Sequence, residues 1–230
     1  MKVFAISDLH LSINNPKPMN IFGGAWENYL EEIENSWNEN VSDEDLVLIS
    51  GDISWAMKMS DVLPDLEYIG KLKGKKVIIR GNHDYWWSSI SAIRSVLPPD
   101  MYAIQNDSLK FGDVVICGSR GWLSELDQET AEDKKIYARE LIRMRLSLES
   151  ALKMRNSEDK LIVMTHYPPF NFKAENSEMT ALFDEFNVDV VVYGHLHGKN
   201  VRVIPEVKKN DVTYYLTSCD LVKNQLVRIL

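Results

Sequence analysis

Short apolar runs punctuate the chain at residues 2–6 (KVFAI), 46–50 (LVLIS), 77–80 (VIIR), 113–117 (DVVIC), 161–165 (LIVMT) and 189–193 (DVVVY). Each is rich in Val and Ile and continuous rather than alternating, the pattern of strands buried on both faces. Between several of them apolar residues recur at helical spacing. Trp26, Leu30, Ile33 and Trp37 form one stripe, and Trp86, Ile90, Ile93 and Leu97 a second, ended by Pro98-Pro99. Tyr137, Leu141, Met144 and Leu148 form a third, in a helix expected over 129–155. That segment gathers acids at its start (Glu129, Glu132, Asp133) and bases at its end (Lys153, Arg155), as the helix dipole favours. The last thirty residues alternate and turn at Lys209-Asn210-Asp211, which predicts an antiparallel hairpin. Strand and helix in alternation, then a β-rich tail, give an α/β fold.

Composition narrows the picture modestly. A chain of 230 residues is long enough for a real core, and one domain over 1–230 is expected. No apolar run approaches the roughly 20 residues that cross a bilayer. The start, MKVFAISDLH, enters a strand pattern rather than a signal peptide, so the cytoplasm is the expected location, with no membrane partner. Cys117 and Cys219 stand far apart in strand-like contexts, without a CxxC pattern, and read as reduced core thiols. The formal net charge of −8 repels a polyanion and argues against a nucleic-acid polymer as partner. A small anionic substrate stays open if some local positive charge exists. Nothing in the pattern fixes an oligomeric state.

The chemistry collects where the apolar runs end. Asp8 and His10 follow the first run, Gly51-Asp52 the second, and Gly81-Asn82-His83-Asp84 the third; His166 follows the 161–165 run, and Gly194-His195-Leu196-His197 the last. All 5 histidines of the chain occupy such positions. In α/β sheets ligands bind beyond the carboxyl ends of the strands, so these segments are expected to converge on one crevice. The donors are Asp8, His10, Asp52, Asn82, His166, His195 and His197. Imidazoles with carboxylates and a carboxamide, without thiolate, suit Mn, Fe, Co, Ni or Zn. So many donors exceed one tetrahedral site and suit two divalent ions sharing a bridging ligand. A single histidine after a strand is usually structural; the recurrence at five strand ends favours a metal site.

In order, Asp8-Leu9-His10, Gly51-Asp52, Gly81-Asn82-His83-Asp84, His166 and Gly194-His195-Leu196-His197 resemble the calcineurin-type metallophosphoesterase superfamily. The resemblance spans residues 8–197. It implies two mixed β-sheets packed as a sandwich flanked by helices, with a dinuclear centre at one edge. It also implies that Asp8, His10, Asp52 and His197 hold one ion, and Asp52, Asn82, His166 and His195 the other, with Asp52 bridging. Manganese is the leading candidate. Two divalent ions bring four positive charges, of which Asp8 and Asp52 cancel two, leaving a positive site in a negative protein. A bridging water would lose a proton near neutral pH and attack phosphorus in line. His83 has no place in that ligand set; the resemblance makes it a general acid or a donor to the phosphoryl group, with Asp84 orienting its ring.

Other residues are weaker candidates. Trp86 reads as core. Trp55 and Trp87 are candidate apolar walls of a substrate cleft, and Arg120, in GSRGW, a candidate bidentate phosphate ligand. The segments 11–24 and 166–172 are expected at the cleft rim, where loops set substrate choice. The 129–155 helix is taken as a layer helix rather than a lid or dimer surface. Two departures from the pattern matter: Ile-Ser-Trp-Ala follows Asp52 where many relatives carry another acid, and no tyrosine sits among the donors, which disfavours a purple Fe(III) centre. The implied activity is hydrolysis of a small or medium phosphate ester, leaning to a diester. A non-catalytic protein-binding scaffold is disfavoured because the full donor set is present, and a nuclease because the chain is acidic.

Overall fold

The six apolar runs fold as β1 (Val3–Ile6), β2 (Leu46–Ile49), β3 (Lys75–Ile78), β6 (Val114–Ser119), β7 (Lys160–Thr165) and β8 (Val190–Tyr193). The computed structural model describes residues 1–198, 201 and 204–230. Five further strands complete two sheets: β4 (Met101–Ala103), β5 (Ser108–Phe111), β9 (Glu206–Lys209), β10 (Val212–Leu216) and β11 (Val227–Arg228). One sheet runs β11-β1-β2-β3-β4 and the other β5-β6-β7-β8-β10-β9. β1 to β4 are mutually parallel and β11 is antiparallel to β1. In the second sheet β6, β7, β8 and β10 are parallel, with antiparallel β5 and β9 at the edges. Both sheets are therefore mixed, as expected.

Side-chain alternation builds the layers. Val3, Ala5, Leu46, Leu48 and Val77 meet Val114, Ile116, Ile162, Met164 and Val192 in a layer between the sheets. The alternate residues Phe4, Ile6, Val47, Ile49 and Ile78 face α1 (Tyr29–Asn40), α2 (Met59–Gly70) and α3 (Ile90–Val96). Val115, Cys117, Leu161, Val163 and Val191 face α4 (Ala131–Leu152) and α5 (Glu178–Glu185). Strands packed on both faces have to be apolar throughout, which is why their sequences do not alternate.

Some boundaries differ from the expectation. The Trp86 stripe shortens to α3, because Asp84 ties the preceding segment into the β3 loop. Trp26 lies in a 3-10 turn, Gly24–Trp26, ahead of α1. α4 starts at a capping box: Thr130 Oγ1 accepts from Asp133 N (3.0 Å), and the Asp133 carboxylate accepts from Thr130 N (3.2 Å). It ends at Leu152, so Arg155 lies beyond it and pairs with Asp189 at 2.8 Å. α4 lays Met144, Leu148 and Ala151 on the second sheet, a layer helix. The hairpin β9–β10 turns at Asn210, whose φ of 50° is left-handed.

After β10 the chain crosses from the second sheet back to the first. Ser7 N donates to Thr217 O (2.8 Å), Cys219 N to Ser7 O (3.1 Å), and Phe4 registers with Arg228. β1 thus has residues from the far end of the chain as one of its two neighbours. No described helix is long and apolar enough to cross a membrane.

Candidate metal centre

Five loops leave the carboxyl ends of β1, β2, β3, β7 and β8 and meet at one edge of the sandwich. Their backbones approach closely. A Cβ on Gly81 would overlap the main-chain N and Oδ1 of Asp52, and one on Gly194 would overlap Asp8 Oδ2 and Ser7 Oγ. Asp8, His10, Asp52 and His195 all have left-handed backbones, with φ of 61°, 45°, 50° and 71°. Such conformations cost about 1–3 kcal/mol each in a non-glycine residue and persist where surrounding structure enforces them.

Side chains converge accordingly. One oxygen or nitrogen from each of Asp8, His10, Asp52 and His197 lies within 4.8 Å of the others. His197 Nε2 is 3.1 Å from Asp8 Oδ1, and His10 Nε2 is 3.4 Å from His197 Nε2 and 3.8 Å from Asp52 Oδ2. On the other side of Asp52, His166 Nε2 lies 3.5 Å from Oδ2 and 2.6 Å from Asn82 Oδ1, which is also 2.8 Å from His195 Nδ1. All seven donors read from the sequence are brought together, in two groups that share Asp52.

The chemistry of this donor set fits cations. His166 Nδ1–H donates to the Ser50 carbonyl at 2.9 Å, which fixes the tautomer. Burial holds the ring below its usual pKa, so the Nε2 lone pair faces the carboxamide oxygen of Asn82. Two lone pairs pointed together are repulsive without a cation between them. Asp8 and Asp52 are both nearly fully buried. Burial, then the charge of Asp8, pushes Asp52 up to about 7. Asp8 itself is held well below the usual carboxylate range: burial opposes this, but His197 and the other imidazoles outweigh it. Burial also drives His10 and His195 down to about 3, leaving neutral rings with free lone pairs.

The remaining candidates fall in different places. Trp55 stacks on His10 (4.6 Å between centroids, 19° between planes) and lies 4.7 Å from His83. It lines a cavity with His10, His83, His197, Phe22 and Trp26, so the 11–24 segment reaches the cleft through Phe22. Trp87 is buried in the core, its Nε1 donating to Gln105 Oε1 at 2.8 Å; it packs between layers and is no cleft wall. Arg120 stacks its guanidinium on Trp122 at 4.8 Å, while its carbonyl accepts from His166 N and Tyr167 N, both at 3.0 Å. It lines neither cavity bordering the donors.

Asp84 requires a correction. Its carboxylate accepts from Gly81 N (2.7 Å), Ile53 N (2.9 Å), Trp86 Nε1 (3.0 Å) and Ser54 N (3.2 Å). None of these bonds goes to His83, whose Nδ1 has no partner among the described residues. Asp84 fastens the β2 loop to the β3 loop. Burial, then Asp52, raises it to about 6.

Three supporting residues carry no motif. Asp220 Oδ1 lies 3.1 Å from His197 Nδ1, and its Oδ2 accepts from Gly198 N at 2.9 Å. Asp65 of α2 accepts from Ile13 N (2.8 Å) and from Ser54 Oγ, tying together the loops after β1 and β2. This carboxylate reaches the loops from a helix rather than from the segment after Asp52. The Tyr167 ring lies 4.1 Å from His195.

Loops from two mixed sheets gather buried carboxylates and imidazoles around a shared aspartate, the donor set of a candidate divalent-cation site at a sheet edge. A family model described as calcineurin-like phosphoesterase matches residues 1–199, and the chain belongs to that family. It is similar to an uncharacterized metallophosphoesterase of Helicobacter pylori strain J99, 24% identical over 217 residues, covering 93% of this chain and 49% of that protein. A probable cyclic nucleotide phosphodiesterase of Coxiella burnetii is 25% identical over 216 residues, covering 86% of this chain and 76% of that protein. The chain thus spans about half the length of the Helicobacter relative. Among solved structures, a Thermus thermophilus protein superposes with TM-score 0.61 at 13% identity, covering 99% of this chain and 97% of that one. A protein of unknown function from Aquifex aeolicus gives 0.52 at 14%, covering 99% and 95%. At such identities these two establish the fold.

Proposed function

We propose that this protein hydrolyses phosphate esters with two divalent metal ions, manganese first among them, and that a diester is its substrate. The observation that carries the reading is the sharing of Asp52 between two donor groups. Asp8, His10, Asp52 and His197 would hold one ion; Asp52, Asn82, His166 and His195 would hold the other. When bound, the ions supply a water acidic enough to ionise near neutral pH and neutralise charge on the phosphoryl oxygens. The printed name of the Coxiella relative supports the diester. Two unpaired, buried cysteines support a reducing compartment, the cytoplasm.

His83 is the residue left to act on substrate. Its main-chain N–H donates to Asp52 Oδ1 at 2.8 Å, which fixes the residue beside the donors, and its ring lines the Trp55 cavity. Burial, with His166 and His197, holds its pKa below the usual value. The neutral ring is then the resting form, and its N–H is a hydrogen-bond donor to the phosphoryl or leaving oxygen. Trp55, stacked on His10, excludes water on that side.

Paired assays on p-nitrophenyl phosphate and bis(p-nitrophenyl) phosphate, across Mn, Fe, Co, Ni and Zn, test the reading. Faster turnover of the bis-ester is expected, with loss of activity on chelation and in Asp52→Asn. Undiminished activity in Asp52→Asn would refute it. His83→Ala is expected to slow alkyl esters more than nitrophenyl esters; an equal loss would remove His83 from the leaving group and leave it on the phosphoryl oxygens.

A further inference from the structure

Two cavities border the donor cluster and share no lining residue. The first, about 280 Å³, is walled by Phe22, Trp26 and Trp55 and reaches His10, His83 and His197. The second, about 200 Å³, opens beside His195, with Leu123, Phe170 and Leu196 inside and Phe172 and Ile204 at its lip. Phe172 is 82% exposed and Ile204 69%, large apolar groups held at a rim where water would ordinarily select polar ones. A cavity of about 150 Å³ lined by aliphatic and aromatic side chains is enough for a benzene ring. Each of these two is mostly apolar and large enough for one ring-sized group, the second with Asp127 and Lys173 also in its wall, and together they hold two.

We propose that the cavity beside His195 binds the retained arm of an acyclic phosphodiester, an apolar, ring-bearing group, while the leaving arm occupies the cavity beside His83. The assignment rests on the phosphodiesterase reading above and deepens it. The reaction consumes one water. A P–O bond forms to the water oxygen, the P–O bond to the leaving arm breaks, and that oxygen takes up a proton. The products are the free alcohol and a monoester that keeps its ring in the His195 cavity. His83 lines the leaving-arm cavity, which gives direction: the arm it can reach departs. A cyclic diester carries both ester oxygens on one ring system and cannot fill two separate cavities. The sequence carried a trace of this site in the apolar residues of HYPPFNF, whose Phe170 and Phe172 supply its floor and lip.

The test uses the metal-loaded protein and two esters that share p-nitrophenol as leaving group, p-nitrophenyl phenyl phosphate and p-nitrophenyl methyl phosphate. Burying about half of a phenyl ring's surface is worth roughly tenfold, so kcat/KM is expected to favour the phenyl arm by about that factor. Phe172→Ala, at an exposed position that leaves folding intact, and Leu123→Trp, which fills the cavity, are expected to bring the ratio toward one. Phe22→Ala is expected to lower both esters by the same factor. A wild-type ratio near one, or a ratio unmoved in both variants, would overturn the assignment. Faster hydrolysis of 3′,5′-cyclic AMP than of the phenyl ester would do the same. If no ester turns over with any metal, the catalytic reading fails, and calorimetric binding of phenyl phosphate against methyl phosphate decides the cavity alone. A phenyl preference lost in both variants supports it, and no preference overturns it.

Discussion

The imidazole of His197 is held between two carboxylates, Asp8 on the Nε2 side and Asp220 on the Nδ1 side. Burial would lower the pKa of this ring, yet the two acids raise it to about 10. Asp220 thereby fixes which nitrogen faces the donors and makes that nitrogen more basic. Removing such an outer partner typically weakens metal affinity about 10–100-fold. Asp220→Asn is expected to show a loss of that size in a competition titration with a chromogenic chelator. An unchanged affinity would make Asp220 a loop fastener through Gly198 alone. The seven donors were legible because each sits at a strand end, and all but His166 lie within two residues of a glycine or another donor. Asp220 was not: it lies 23 residues past His197, one acid among many, and only the return of the chain to the first sheet brings it into place. Asp84 was legible as a residue but not in its role, because hydrogen bonds to Ile53 and Ser54 of the β2 loop leave no trace in a four-residue motif. Cys117 and Cys219 are free and buried, and burial pushes the Cys117 thiol up to about 12. Neither is expected to react with a thiol reagent at pH 8 until the protein is unfolded in denaturant; prompt labelling of the native state would contradict the packing around them.

At the scale of elements, the continuous apolar runs announced the central strands, and the unannounced elements have physical reasons for silence. β4 has three residues and β5 is an edge strand, too short or too half-buried to give a run. α2 contains Pro64 in its second turn, where the missing N–H costs the helix one backbone hydrogen bond, and a proline reads as a break. That helix nevertheless bears on the site through Asp65, and Lys76 of the neighbouring strand fixes its far end by donating Nζ to Leu72 O at 2.8 Å. The β3 loop is a tight join. Because a Cβ on Gly81 would meet backbone atoms, Gly81→Ala cannot be absorbed by a rotamer change. Overpacking of this kind costs about 1–3 kcal/mol. The variant is expected to unfold at lower urea with an unchanged slope, and to bind divalent metal more weakly because Asp52 is displaced. Wild-type metal affinity in this variant would mean that the loops adapt independently.

At the scale of the molecule, the sandwich is a frame that holds five loops in register, and its central layer is made of residues from the strands and the positions adjoining them. The layer order was implied by resemblance and not by the apolar pattern, since nothing in a strand's own sequence names its neighbour. Net charge and site chemistry pull in opposite directions: the chain carries −8, and at its edge it buries two of its carboxylates, Asp8 and Asp52, close together. A cation relieves that repulsion in the folded state only. Metal at about 100 times its Kd is worth roughly 2.7 kcal/mol, and for a chain of this size each kcal/mol moves Tm by about 2–4 °C. Chelation is therefore expected to lower Tm by about 5–10 °C in a calorimetric scan, and Asp52→Asn to lose most of that dependence. An unmoved transition would mean that the donors bind no ion tightly at neutral pH.

The crossing of residues 217–230 back to β1 also sets a timetable for synthesis. Val3–Ile6 leaves the ribosome well ahead of its outer neighbour and waits until translation has passed Arg228, while His197 waits for Asp220. A nascent polypeptide stalled before Asp220 presents its first strand edge open and His197 without its Nδ1 partner. Placement of His197 against the other donors thereby becomes a late event, gated by the emergence of Asp220.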